Sequence, residues 1–203
     1  AVAFNGSGIA PEKLNYDFFK KKNIDKIGLT SPHSVTIPGA VHAWQTIHNE
    51  FGKLDFEQLF LGAIDYAING HKVTKVVSSA WHNSLKKISG NKNSRNIFLK
   101  NEKTLQENEL MKNVALGKTL ELISKKGSKE FYEGTIAKDI VESLKDLGGE
   151  HSLEDFSKQT TIRSDTIKSN YKNEFIHQCP PNGPGVTVLI MMKLLEKLNI
   201  QNY

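Results

Sequence analysis

Gly127-Ser128-Lys129-Glu130-Phe131-Tyr132-Glu133-Gly134 joins two stretches whose apolar residues recur at helical spacing. Upstream, residues 114–126 read as one helix that Gly127 closes. Downstream, residues 135–147 read as another, with Ile136, Ile140, Leu144 and Leu147 on one apolar face and Gly148-Gly149 as its stop. Ser152-Leu153-Glu154-Asp155 opens a further short helix. Strands are expected at 160–162 and 174–178. The loop Pro180-Pro181-Asn182-Gly183-Pro184-Gly185 then leads into a closing helix at about 186–197.

Toward the other end, residues 55–69 predict a helix. The spacing of Asp55 and Gln58 resembles a capping box, and Gly70 is the stop. Its buried stripe is expected to hold Leu59, Phe60, Ala63, Ile64, Ala67 and Ile68. Val41, Trp44, Ile47, His48 and Phe51 predict the helix before it, ended by Gly52. Residues 34–37 alternate polar and apolar and read as a strand that halts at Pro38-Gly39. Earlier still, Leu14, Phe18 and Phe19 suggest a short helix behind Ala10-Pro11, and Ala1-Val2-Ala3-Phe4 reads as a strand. The polar segment 89–103, rich in Asn and Lys, is expected to be a surface excursion. The strands near Ala1 and Ile176 find no evident partners, which suggests a piece of a larger fold.

Composition narrows the function less than it narrows the fold. With 203 residues, 38% of them hydrophobic, the chain can build one core. The longest apolar run, 186–192, is too short to cross a bilayer. The opening Ala1-Val2-Ala3-Phe4 has no targeting signature, and localisation stays open between cytoplasm and periplasm. The net charge of +5 comes from lysines spread along the chain, with Lys20-Lys21-Lys22 the one tight run. No zinc-finger, RNP or KH pattern accompanies them, so a nucleic-acid partner is not expected.

Candidate chemistry is sparse. The seven histidines show no ligand spacing, so neither metal nor cofactor is expected, and His48 reads as a satisfied, half-buried residue. Cys179 is read as a buried structural thiol in preference to a catalytic one. Two Gly-rich loops, 5–8 and 182–185, are each expected to precede a helix, and either could cradle an anion with backbone N–H groups. Residue pattern alone ends at a helix-rich α/β piece.

The order of the segments adds more. Ser34-Val35-Thr36-Ile37-Pro38-Gly39-Ala40-Val41 resembles the V-x-V-P-G-x-V segment of the gamma-glutamyltranspeptidase family. Phe51-Gly52-Lys53-Leu54, then Ala63-Ile64 through Ala67 to Asn69-Gly70, and Leu116 to Ile123 are similar to the family's next segments. Gly127 to Gly134 is the most specific match. Gly148-Gly149, Leu153-Glu154-Asp155-Phe156 and Pro180-Pro181-Asn182-Gly183 follow in the family's order, so the resemblance spans nearly all 203 residues.

This resemblance implies an α+β N-terminal nucleophile hydrolase, a four-layer αββα sandwich of which residues 1–203 would be a mainly helical portion of the large subunit. In that family a precursor cuts itself and exposes a threonine at the start of a small subunit. The threonine attacks an amide, its own α-amine acting as base, and the acyl group passes to water or an amine. The implied partners are that small subunit and a small gamma-glutamyl or related amide. No catalytic residue is expected within this segment.

The sequence departs from the family at Asn5-Gly6-Ser7-Gly8-Ile9-Ala10-Pro11, where glutathione-cleaving members carry R-E-x-A-P. Ser7 stands at the place of the arginine that binds the substrate's α-carboxylate, and is the one candidate substrate-binding residue. Its blander role is to cap a turn beside Gly6 and Gly8. Two alternatives accompany the main expectation: an acylase on another amide, as the cephalosporin acylases are, and a non-catalytic binding protein on the same scaffold.

Overall fold

The computed structural model describes residues 1–198 of the 203. Strand β1 (Val2–Asn5) ends in the first Gly-rich loop, and α1 (Tyr16–Lys21) starts only after Asn15, whose side chain caps the Phe18 N–H. A 3-10 turn (Pro32–Ser34) precedes α2 (Ala40–Phe51), and a second (Phe56–Phe60) runs into α3 (Leu61–Asn69). Next come β2 (His71–Lys72), α4 (Lys75–Asn83), α5 (Leu85–Ser89), α6 (Lys92–Phe98), β3 (Leu99–Lys100), β4 (Lys103–Thr104) and β5 (Leu110–Met111). The remainder is α7 (Val114–Lys126), α8 (Ser128–Glu133), α9 (Thr135–Asp146), α10 (Leu153–Ser157), β6 (Ile162–Asp165), β7 (Ile167–Tyr171), β8 (Glu174–Gln178) and α11 (Gly185–Leu198).

The principal core forms where α2, α7, α8, α9 and α10 meet. Ile37, Val41, Phe60, Ile123, Phe131, Tyr132, Ile136, Ala137, Val141 and Phe156 are all buried there. The stretch 127–134 is its hinge. Gly127, at φ +71°, ends α7 in a conformation that favours glycine, and Glu130 then reaches forward to start α9. Its carboxylate accepts the Thr135 N–H (3.0 Å) and hydroxyl (2.6 Å), and those bonds hold the carboxyl below its ordinary pKa. Phe131 and Tyr132, between these two ends, turn inward. A smaller core of Val73, Leu105 and Met111, flanked by Trp81, Ile97 and Phe98, serves the lobe between β2 and β5. Segment 89–103 lies in that lobe as α6 and the β3–β4 hairpin.

Several expectations need correction. The strands near Ala1 and Ile176 find partners within the chain, since β1 pairs antiparallel with β6 and β8 with β7. Strand β6 begins two residues later than expected, and β7 was not anticipated. Val35 is extended, but residues 35–39 form no ladder. His151 donates to the Val35 carbonyl (2.8 Å), and Ile37 spends its N–H on Ile9 (2.9 Å), so the alternation marks a buried Ile37 instead of a strand. Asp55 makes no capping bond, because the chain opens there with 3-10 geometry.

Three helical faces are also less covered than periodicity implied. Leu147 is 56% exposed, at the end of α9. Leu59 and Ala63 lie open on their helix, and Trp44, Ile47 and Phe51 join them with His48 and Leu120 along an apolar groove of about 530 Å³. His48 is half-buried and satisfied by the Leu54 carbonyl at 2.7 Å.

Candidate functional site

Ser7 reaches its position because three glycines let backbone segments touch. A Cβ on Gly8 would overlap the Ile37 carbonyl oxygen, one on Gly39 would overlap the Gly6 oxygen, and one on Gly6 would meet the Ala43 Cβ at 2.6 Å. Loop 5–9 is therefore seated directly on the Pro38-Gly39 turn and the first turn of α2. Tyr132 holds that turn from the other side. Its hydroxyl donates to the Pro38 carbonyl (2.6 Å) and accepts the His42 N–H (3.1 Å), while burial raises the pKa of the phenol. The hinge at 127–134 thus bears on the loop through a single tyrosine.

Gln159 supplies the remaining anchors. This side chain, 3% exposed, accepts the Ile9 N–H (3.1 Å) and donates to the carbonyls of Ser7 (3.2 Å) and Thr160 (3.0 Å). Asp155 acts in the same way one turn earlier. Its carboxylate accepts the Glu12 N–H (2.9 Å) together with the Ser152 N–H and hydroxyl, forming the capping box of α10. Burial acts to raise the Asp155 pKa, but these hydrogen bonds and the nearby His151 outweigh it and hold the carboxyl below its ordinary range. Lys158 adds a surface clasp, bonded to Glu12 at 2.9 Å and Glu154 at 2.8 Å.

The two Gly-rich loops, far apart in sequence, meet. The Ser7 hydroxyl donates to Asn182 Oδ1 at 3.2 Å, and Asn5 Nδ2 donates to the same oxygen at 3.0 Å. Between them lies a cleft of about 580 Å³, walled by β1, Ile162 and Ser164 of β6, and residues 179–183. Among the described residues, no lysine, arginine, aspartate or glutamate lines it. Arg163, next in sequence to two lining residues, turns away to pair with Glu50 at 2.8 Å. Cys179 is exposed and lines the cleft, which corrects the expectation of a buried thiol: the turn after β8 faces outward here.

Only the second loop stands at a helix start, because α1 begins well downstream of Gly8. Sequence reading singled out Ser7 and both loops but passed over Asn5, Gln159 and Asp155 as site-building residues. A Gln beside two threonines carries no periodic signal, and the capping-box spacing of Ser152 and Asp155 was the one available cue. Among the described residues no group of three or more His, Cys, Asp or Glu side chains is arranged to hold a metal ion, and no helix is long and apolar enough to cross a membrane.

The chain resembles known proteins over its whole length. A family model described as gamma-glutamyltranspeptidase matches residues 1–203. The glutathione hydrolase-like YwrD proenzyme of Bacillus subtilis is 29% identical over 95% of this chain and 37% of its own length. The capsule biosynthesis protein CapD proenzyme of Bacillus anthracis is 33% identical over 95% of this chain and 35% of its own. The chain thus spans little more than a third of these curated relatives. The crystal structure of Helicobacter pylori gamma-glutamyltranspeptidase superposes with a TM-score of 0.89 at 24% identity, covering 97% of this chain and 58% of that one. At that identity the likeness carries the fold alone, a mixed helix-and-strand arrangement.

Proposed function

Because the chain belongs to the gamma-glutamyltranspeptidase family, we propose that it forms part of the large subunit of an amide-cleaving acyltransferase or hydrolase. The catalytic threonine would come from a small subunit released by self-cleavage, a reading supported by relatives named as proenzymes. The threonine hydroxyl would attack the amide carbonyl, its α-amine taking the proton, and water or an amine would accept the acyl group. Residues 1–203 would contribute the wall that receives the acyl chain, with Ser7 at the substrate-facing position.

One observation carries the substrate reading: the cleft beside Ser7 has no cationic lining among the described residues. A charge-assisted hydrogen bond contributes about 1.5–3 kcal/mol, which a serine hydroxyl does not replace for a carboxylate. The substrate is therefore an amide whose acyl part does without a free α-carboxylate. This favours an acylase-like specificity over glutathione.

Steady-state kinetics of the complete processed enzyme test both parts. Changing the small subunit's first residue to alanine should abolish turnover, and residual activity would sink the threonine mechanism. The wild type should act weakly on gamma-glutamyl-p-nitroanilide and better on the 4-aminobutyryl analogue, which lacks the carboxylate. Ser7→Arg should lower KM for the gamma-glutamyl substrate by roughly ten- to a hundred-fold. An equal change on both substrates would mean that Ser7 does not face the carboxylate position.

A further inference from the structure

One backbone group fixes the orientation of three side chains. The Ser7 N–H can only donate, and it points to an Asn5 side-chain atom at 3.0 Å, which is therefore Oδ1. The other end of that amide, Nδ2, lies 3.0 Å from Asn182 and needs an acceptor, so Asn182 presents Oδ1. The Ser7 hydroxyl donates to the same oxygen at 3.2 Å. With Oδ1 occupied twice, Asn182 Nδ2 is the end turned away from Ser7 and Asn5. Among the described residues it has no hydrogen-bond partner. Asn182 borders both the cleft of about 580 Å³ and an adjoining hollow of about 470 Å³.

We infer that Asn182 is a specificity-determining residue whose Nδ2 donates to a neutral carbonyl oxygen on the substrate's acyl chain. The inference rests on the reading that this cleft receives that chain. A primary amide has two N–H donors and no charge, which matches a carboxamide, ester or N-acyl oxygen. A carboxylate would be desolvated without a counter-charge, since the lining has none among the described residues. The bonds from Asn5 and Ser7 hold the donor in place, so the amide is oriented before substrate arrives.

Asn182→Asp isolates the donor. The variant keeps Oδ1 for Asn5 and Ser7, so the contact between the loops survives, but it replaces both N–H groups with an acceptor oxygen. The complete processed enzyme is assayed on p-nitroanilides of 4-carbamoylbutyric acid and of its apolar isostere, 5-methylhexanoic acid. KM for the carbamoyl substrate should rise about ten- to a hundred-fold with kcat within about threefold, and KM for the isostere should change less than about twofold. Unchanged KM for both, an equal rise for both, equal wild-type KM values, or no wild-type turnover of either anilide would each overturn the inference. Ser7→Ala separates the two layers of argument. If Ser7→Ala shifts KM while Asn182→Asp does not, only the role of Asn182 falls. If neither shifts any KM, the cleft is not the acyl site and the underlying reading falls with it.

Discussion

Residues 5–9 and residues 180–185 are both short loops with glycine, yet the first is packed from behind along its length and the second only at Gly185, where a Cβ would overlap the Cys179 carbonyl oxygen. Gly6 and Gly8 press on α2 and on residue 37, Gln159 bonds to the peptide groups on both sides of Gly8, and Ile9 pairs with Ile37. In the second loop a Cβ on Gly183 would meet nothing within 4 Å, and Asn182 is tied mainly across the cleft to Asn5 and Ser7. Tight packing excludes added atoms, whereas open loops absorb them. The cleft therefore has one wall fixed from behind and one that is open behind Gly183, with Asn182 held in place from across the cleft. If the cleft receives the acyl chain as proposed, shape discrimination would belong to the first and tolerance of substrate size to the second.

Gly8→Ala is the harshest way to test this asymmetry. Its methyl group would displace the Ile37 backbone and should cost about 3 kcal/mol, lowering the thermal midpoint of the processed enzyme. A midpoint within a degree of wild type would mean that the first wall is also soft. Gln159→Leu should come next, at about 1–2 kcal/mol, because it removes the partner of the Ile9 N–H and of the Ser7 and Thr160 carbonyls in a partly buried setting. Denaturant titration measures it directly, and Gln159→Glu should recover only the Ile9 bond.

A smaller effect should appear in acid. The Asp155 carboxyl has a lowered folded-state pKa, so its stabilisation is complete above the unfolded value and is lost as pH falls through the folded one. The wild-type melting temperature should therefore drop below about pH 4, and Asp155→Asn should flatten that limb. Parallel limbs for the two proteins would remove Asp155 from the anchoring of loop 5–12. Least of all, Gly183→Ala should change stability by less than about 0.5 kcal/mol. A loss comparable to that of Gly8→Ala would erase the contrast between the walls.

Much of this frame was legible in the sequence. The helix expected at 114–126 has the bounds of α7, 174–178 those of β8, and α9 ends within a residue of its expected stop, because periodicity and terminal glycine agree there. Residues 34–37 misled, since alternation reports burial and not the fate of backbone groups, which here go to His151 and Ile9. Both loops of the cleft stood out by composition. Their meeting did not, because Ser7 and Asn182 are joined by a hydrogen bond across 175 positions that no local pattern encodes. Gln159 was invisible for the same reason: its partners are peptide groups near the other end of the chain.

The lobe between β2 and β5 enters and leaves the body at one place. His71 and Lys72 pair directly with Met111 and Leu110, and the Asn113 N–H bonds back to the Ala67 carbonyl as the chain returns. Entry and exit are thus clipped together, and Met111 of the clip packs with Val73 and Leu105 to form the lobe's own core. Chain length in this stretch is therefore decoupled from the geometry of the cleft. Shortening or exchanging the segment between Lys72 and Leu110 should leave the seat of Ser7 in register.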